Sequence, residues 1–375
     1  MDKTLSFYFG FFLFAIVFSF VINKLFLKAY HNFGKKENGD EVRWADRPKP
    51  LLGGFSFYML FLFSISIYAI VFDNDFFDLQ VMGILFSTSF GFLLGWADDG
   101  YGTKPFLKFI GQFICATILT STGSIIEVTG IAGFDLTFTV FWIIGIMNSI
   151  NMLDNMDGIT TVTSISIIIA ALGICLIAKE GQFNVIYTVM LIGVAGALFG
   201  FLYFNINPSQ MYMGDTGSQF LGAFLGGLSI PLIWSHKVDG ACFIQINQFI
   251  LPTLIFLIPI IDTSTVFIRR ISNSKSPFVG GKDHTTHHMA FIGVSDRYVM
   301  LIFWGISLLS SLIAILVFGY FDKIHFGYSL LIYLFCISVF ILMQIIYNRG
   351  KRINEICTKY NVIKLRTIKI KRKKA

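Results

Sequence analysis

"LQVMGILFSTSFGFLLGWADDGYGTK", residues 79–104, carries no charge from Leu79 to Gly95 and then places Asp98 and Asp99 side by side. About 20 apolar residues suffice for a helix to cross a bilayer, so the first part predicts a membrane span. Adjacent carboxylates repel one another unless a cation or a proton separates them. The stretch therefore poses fold and chemistry together: a span, and at its mouth a pair of like charges in need of a partner.

The same apolar texture continues in both directions. Of the 375 residues, 55% are hydrophobic and only 14% are charged, where a soluble domain carries about 25%. The 43 phenylalanines run along the whole length. The expected fold is all-α: a polytopic integral membrane protein with its active site on cytoplasmic loops. Eleven spans are predicted, at 4–27, 51–72, 79–96, 106–122, 137–150, 159–178, 185–204, 216–234, 248–268, 298–318 and 327–347. Residues 4–27 lack a small-residue cleavage site and read as the first span rather than a signal peptide. Residues 1–347 then form one membrane domain, and 348–375 a basic tail ending "IKIKRKKA". The five cysteines form no CxxC pair, which fits neither a disulfide framework nor a zinc site.

Charge asymmetry sets the orientation. Segments 28–50, 97–105, 269–297 and the tail hold most of the 29 Lys and Arg, whereas "DNDFFD" at 73–78 has none. The basic side is expected to be cytoplasmic. The N-terminus then lies outside a cell inner membrane and the tail inside, next to anionic lipid. The tail accounts for the net charge of +7, so the charge is no sign of nucleic acid.

Four loops on the basic side hold nearly all the chemically interesting residues: "ADDGYGTKPFLK" (97–108), "NMLDNMDG" (151–158), "FNINPSQMYMGDTGS" (204–218) and "SPFVGGKDHTTHH" (276–288). Together they offer five carboxylates, Asp98, Asp99, Asp154, Asp157 and Asp215, with Asn151 and Asn205 as neutral oxygen donors. Hard oxygen ligands without cysteine favour Mg2+ or Mn2+ over zinc. Lys104, Lys108, Lys282 and the histidines add groups suited to phosphate. Metal, carboxylates and phosphate-binding cations point to phosphoryl transfer. Each motif has a plainer reading: "DDG" as a helix end, "NMLDNMDG" as caps, "MGDTGS" as a turn, the histidines as solvated. The three-residue spacing of Asn151, Asp154 and Asp157 predicts one shared helical face, which capping alone does not require. An ion-coupled transporter is the rival from another class. It would show ionisable residues near the midplane. Here the middles of the predicted spans are empty of charge, and Asp262, the only acid well inside a span, lies one or two turns from its cytoplasmic end.

At these residues the chain resembles the polyprenyl-phosphate N-acetylhexosamine-1-phosphate transferases. The resemblance runs from "RPKPLLGG" (47–54) to "HTTHH" (284–288), with "PIIDTSTVFIRR" (259–270) also in order. It implies transfer of N-acetylhexosamine-1-phosphate, most simply GlcNAc-1-phosphate, from a UDP-sugar to undecaprenyl phosphate with release of UMP. That would be the first membrane step of cell-surface polysaccharide assembly. The residues it implies are Asp98, Asp99, Asp154 and Asp157 for catalysis, and Asp215 with Asp154 for magnesium. Lys108, Asn151, Asn205, Lys282, His287 and His288 are implied in substrate binding. The implied partners are a UDP-N-acetylhexosamine, undecaprenyl phosphate in the inner leaflet and membrane lipid, with a homodimer as an option. The stretch "DHTTHH" departs from the family's compact histidine motif and lacks three consecutive histidines. This favours the simple-hexosamine branch over the muramyl-pentapeptide branch, the alternative within the family. It also ranks His284, outside the adjacent pair, below His287 and His288.

Overall fold

The computed structural model describes residues 3–33, 49–72, 78–179, 181–235, 246–274, 281, 283–320 and 326–373. Lys282, one of the expected substrate-binding residues, lies outside them. The described residues contain helices and a single isolated bridge, Leu51 to Tyr212. In chain order the helices are α1 (Lys3–Phe33), α2 (Gly53–Val71), α3 (Leu79–Tyr101), α4 (Pro105–Ser121), α5 (Ala132–Leu153), α6 (Ile159–Ile177) and α7 (Val185–Asn205). They continue with α8 (Gly214–Ser229), α9 (Ile250–Ile255), α10 (Leu257–Ser272), α11 (Thr285–Phe291), α12 (Asp296–Gly319) and α13 (Phe326–Lys373). The protein is an all-α integral membrane protein.

Nine helices among the described residues are long and apolar enough to cross a membrane, counting α8 with its π-helical continuation to Trp234. With 17 residues, α4 is shorter. The predicted continuous span 248–268 is corrected: Ile246–Ile255 and Leu257–Ser272 meet at 90°. Pro259 accounts for the break. In one straight helix its ring would clash with the Ile255 carbonyl, which would also lose its N–H partner. Restarting at Leu257 puts Pro259 in a first turn, where no N–H is required. The break swings α10 across the bundle and brings Asp262 beneath α11.

The core is built round α8, 94% of whose apolar window is buried, against 17% for α1 and 22% for α13. Close approach at its N-terminus depends on glycines. A Cβ on Gly95 of α3 would overlap the Asp215 carbonyl, and one on Gly54 of α2 the backbone of Gly217. Small residues let membrane helices meet at backbone distance where lipid offers no hydrophobic drive. Residues 50–54 complete the clasp, with Gly53 N donating to Tyr212 O and Gly54 N to Met213 O, both at 3.1 Å. The N-termini of α4, α6 and α8 thereby gather with the C-termini of α3, α5 and α7 at one end of the bundle.

Candidate active site

At that end α3 stops at Gly102, whose left-handed φ of 60° ends the helix as its N–H donates to Asp98 O at 2.8 Å. The chain turns back at once and Pro105 opens α4. This hairpin places Lys108 against Asp98, with Nζ to Oδ2 at 2.7 Å, and the same ammonium reaches Asp215 Oδ2 at 2.9 Å. Thr103 N donates to Asp98 Oδ1 at 2.8 Å, joined there by the Thr103 hydroxyl. Asn151 Nδ2, from the last turn of α5, donates to Asp215 Oδ1 and to Ser218 Oγ, the latter at 2.8 Å. Four helices thus converge on one ammonium held between two carboxylates.

The neighbouring Asp99 has a different task. It accepts from Asp215 N at 2.9 Å, Thr216 N at 2.9 Å and Thr216 Oγ1 at 2.6 Å. The first turn of α8 leaves backbone N–H groups without intrahelical partners, and Asp99 closes them from α3. Gly214, with φ 72°, is needed here because a Cβ would strike the Asp99 carboxylate. The pair that opened the question is therefore divided: Asp98 holds a cation, and Asp99 fixes the helix that carries Asp215.

The expectation of a shared helical face for Asn151, Asp154 and Asp157 does not hold. Helix α5 ends at Leu153, Asp154 is its C-cap residue, and Asp157 lies in the following turn. Asp157 accepts from Asn207 Nδ2 at 3.0 Å, Ser209 N at 3.0 Å and Ser209 Oγ at 2.8 Å, and Lys49 Nζ stands 3.7 Å away. The 151–158 turn is consequently a hub: Asn151 reaches Asp215, Asp157 holds the 207–209 loop, and Asn155 Oδ1 accepts from Thr286 of α11 at 2.7 Å. Asn205 is 2% exposed, with Oδ1 accepting from Thr161 at 2.7 Å and Nδ2 donating to Met211 O at 3.1 Å. Both ends of that amide are occupied by protein.

The histidine segment is seated by α10 and α13. Arg270 grips Asp283 through two bonds of 2.7 Å, and His284 Nδ1 lies 2.7 Å from Asp262 Oδ2. The His288 ring packs on Tyr347, centroids 4.1 Å apart, while α13 presses Gly350 so close to His288 that a Cβ there would overlap it. Burial raises the Asp283 carboxyl, but Arg270 overrides this and holds it below its ordinary value. Burial, reinforced by His284, lowers His287 to about 3; burial, reinforced by Arg269, lowers His288 to about 4. At neutral pH both are uncharged rings.

A second tier of polar groups lies one turn deeper. Gln112 Nε2 donates to Asn148 Oδ1 and to Gln219 Oε1, each at 3.2 Å, and Asn148 Nδ2 returns a bond of 2.7 Å to Gln112 Oε1. These residues stand four from Lys108, three from Asn151 and four from Asp215. Helical spacing from the motif residues was the signal that could have found them.

Among the described residues, no three His, Cys, Asp or Glu side chains could hold a metal ion by themselves. The carboxylates of Asp98 and Asp215 nevertheless converge on a single cation, the Lys108 ammonium, while Asn151 turns its Nδ2 to Asp215 beside them. That donor set fits magnesium or manganese, which bind through one or two carboxylates and complete their shell with water and phosphate oxygens.

The glycosyl transferase family 4 model matches residues 81–233, which takes in α3 to α8 with Asp98, Lys108, Asn151 and Asp215 and stops short of Asp262. The chain is 29% identical over 232 residues to a probable undecaprenyl-phosphate N-acetylglucosaminyl 1-phosphate transferase of Bacillus subtilis, covering 60% of this chain and 62% of that protein. It is 27% identical over 328 residues to a phospho-N-acetylmuramoyl-pentapeptide-transferase of Lactobacillus johnsonii, covering 80% and 97%. A decaprenyl-phosphate N-acetylglucosaminephosphotransferase of Mycolicibacterium smegmatis is 28% identical over 233 residues, covering 56% and 57%. The chain thus spans less than two thirds of the Bacillus and Mycolicibacterium proteins. The matched segment contains the helices that assemble the Lys108 cluster, and over it the chain is similar to glycosyl transferase family 4 and to the polyprenyl-phosphate sugar-phosphate transferases.

Proposed function

We propose that the protein transfers an N-acetylhexosamine-1-phosphate, with GlcNAc-1-phosphate as the first choice, from a UDP-sugar to undecaprenyl phosphate. The observation that carries this reading is the Asp98–Lys108–Asp215 arrangement at the mouth of the bundle. Two carboxylates hold an ammonium where a membrane-embedded phosphate and a soluble diphosphate could meet. With the basic end facing the cytoplasm, the donor enters from the cytosol and the lipid phosphate from the inner leaflet.

An oxygen of the lipid phosphate attacks the sugar-bearing phosphorus. The new P–O bond forms as the bond to the bridging oxygen breaks, and that oxygen leaves with UMP. One phosphoanhydride replaces another, and the anionic nucleophile needs no strong base. Lys108 offsets charge on the phosphoryl oxygens, an effect magnified where water is excluded. Asp98 and Thr103 keep Lys108 aimed, Asn151 orients Asp215, and Asp99 keeps Asp215 at the rim. A divalent metal would be held by Asp215 with Asp98 and would supply charge neutralisation for the diphosphate and the departing UMP. Asp154, the C-cap residue of the helix that carries Asn151, is a further ligand in this proposal. Asp157 acts on the site through the 207–209 loop and Asn205 through the 205–211 segment. Lys282, His287 and His288 belong to the segment that covers the donor.

The test is purified protein with undecaprenyl phosphate, Mg2+ and a panel of UDP-sugars, reading UMP. Release of UMP with UDP-GlcNAc, lost in chelator and restored by Mg2+ or Mn2+, is the expected result. The Lactobacillus match, which extends over 97% of that protein, supports the muramyl-pentapeptide donor as the second reading. UMP from that donor alone would select it. No UMP from any donor would point to the transporter.

A further inference from the structure

Asp262 and His284 stand outside the segment the family model matches and outside the Lys108 cluster. Asp262 is 2% exposed and His284 is 5% exposed. Their contact is one bond of 2.7 Å between Asp262 Oδ2 and His284 Nδ1. Asp262 Oδ1 is buried and has no hydrogen-bond partner among the described residues, so the imidazole is the group that meets this carboxylate. An ionised carboxylate so far from water is costly unless it is paired. The proton at this contact therefore belongs on Nδ1, and Nε2 is the ring atom left to act elsewhere. The same logic fixes the tautomer wherever a carboxylate backs a working histidine.

The three histidines are held differently. His288 is wedged between Tyr347 and Gly350 of α13, which is helix packing. His284 meets the edge of His287 at 5.5 Å between centroids, and α11 is tied to the 151–158 hub through Thr286 and Asn155. His284 is the ring whose orientation is set by a charge, and the broken span is what delivers that charge.

We propose that Asp262 is a positioning residue that orients His284, and that His284 Nε2, rather than His288, meets the donor diphosphate. This reverses the ranking read from the adjacent histidine pair, and it rests on the histidine segment covering the donor as proposed above.

The experiment varies UDP-sugar and lipid phosphate separately in the full-length protein. His284→Ala leaves Asp262 buried and unpaired, so the decisive variant is His284→Asn, whose side-chain amide keeps a donor at the Nδ1 position while removing Nε2. The expected result is a fall of about 100-fold in kcat/KM for the UDP-sugar, with the melting temperature and the KM for lipid phosphate unchanged. His288→Ala is expected to cost less than about tenfold. Asp262→Asn should lower the donor kcat/KM, and the double variant Asp262→Asn with His284→Asn should be no worse than His284→Asn alone, because one residue acts through the other. A folded His284→Asn protein within about threefold of wild type would overturn the proposal, as would losses that multiply in the double variant. Either outcome leaves UMP release by wild type intact, so failure here is distinct from failure of the proposed reaction.

Discussion

Asp135 and Asp98 are both buried carboxylates, 3% and 8% exposed, at opposite ends of the bundle. Asp135 is enclosed by its own loop, accepting from Val128 N at 3.0 Å, Thr129 N at 2.9 Å, Thr129 Oγ1 at 3.0 Å and Gly130 N at 2.9 Å. Asp98 also accepts from its own turn, but its second oxygen is committed to Lys108, and through Lys108 to Asp215 on another helix. Fixed local N–H groups cannot leave a carboxylate without unfolding the loop. An ammonium on a flexible stem can shift when phosphate or metal arrives. Burial alone therefore does not single out Asp98 as the candidate for catalysis; the mobility and origin of its partners do.

The sharpest way to break this comparison is at the shared cation. Lys108→Met removes the charge between Asp98 and Asp215 and should lower turnover at least about 1,000-fold, the order of effect expected for an electrostatic group acting on the transferred phosphoryl. UMP release at near wild-type rate would reduce Lys108 to a structural counter-ion.

Asp215→Asn and Asp98→Asn come next, each with a loss of about 100-fold or more in kcat. Asp99→Asn should separate from them. Its main effect should be a melting temperature lowered by the equivalent of about 1–2 kcal/mol, as for a lost helix cap, with a smaller loss of turnover per folded molecule. Equal kinetic profiles for Asp98→Asn and Asp99→Asn would dissolve the division of labour between them.

Asp135→Ala should act on stability alone. It orphans buried donors at about 1–3 kcal/mol each before water enters, and turnover per folded molecule should match wild type. A selective kinetic defect would mean the outer end takes part in the reaction.

The smallest effect concerns pH. His287 and His288 titrate at about 3 and about 4 in the folded protein, below the ordinary 6.5. The unfolded chain then binds more protons than the folded one between these values, so stability rises with pH across that window. The contribution is complete above about 6.5 and declines as pH falls towards about 4. Thermal melts at pH 7.5 and 5.5 should show the lower value at 5.5, and replacing both rings by Asn should shrink the difference.

The membrane class and most spans were legible because apolar length is a strong signal and needs no partner. The break at Phe256 was written in Pro259, but its 90° bend depends on what α10 packs against. The site was legible as residue types, not as pairings. Asp98, Lys108, Asn151 and Asp215 lie far apart in the chain, and only the packing of α3, α4, α5 and α8 shows that they share one point. Asp99 and Asn205 carry the same side chains as neighbouring motif residues, and nothing in their spacing reveals that they are occupied by helix and loop backbone. The Gln112, Asn148 and Gln219 tier was the missed opportunity, since helical spacing below the motif residues marks it.

The 151–158 turn connects Asp215, the 207–209 loop and α11 within eight consecutive positions. Gly158, with φ 79° and Met300 against it, then launches α6. One inserted residue would displace Asn151, Asn155 or Asp157 relative to the other two, so no length change is neutral here. Variation in what such a site accepts must come by substitution at constant length.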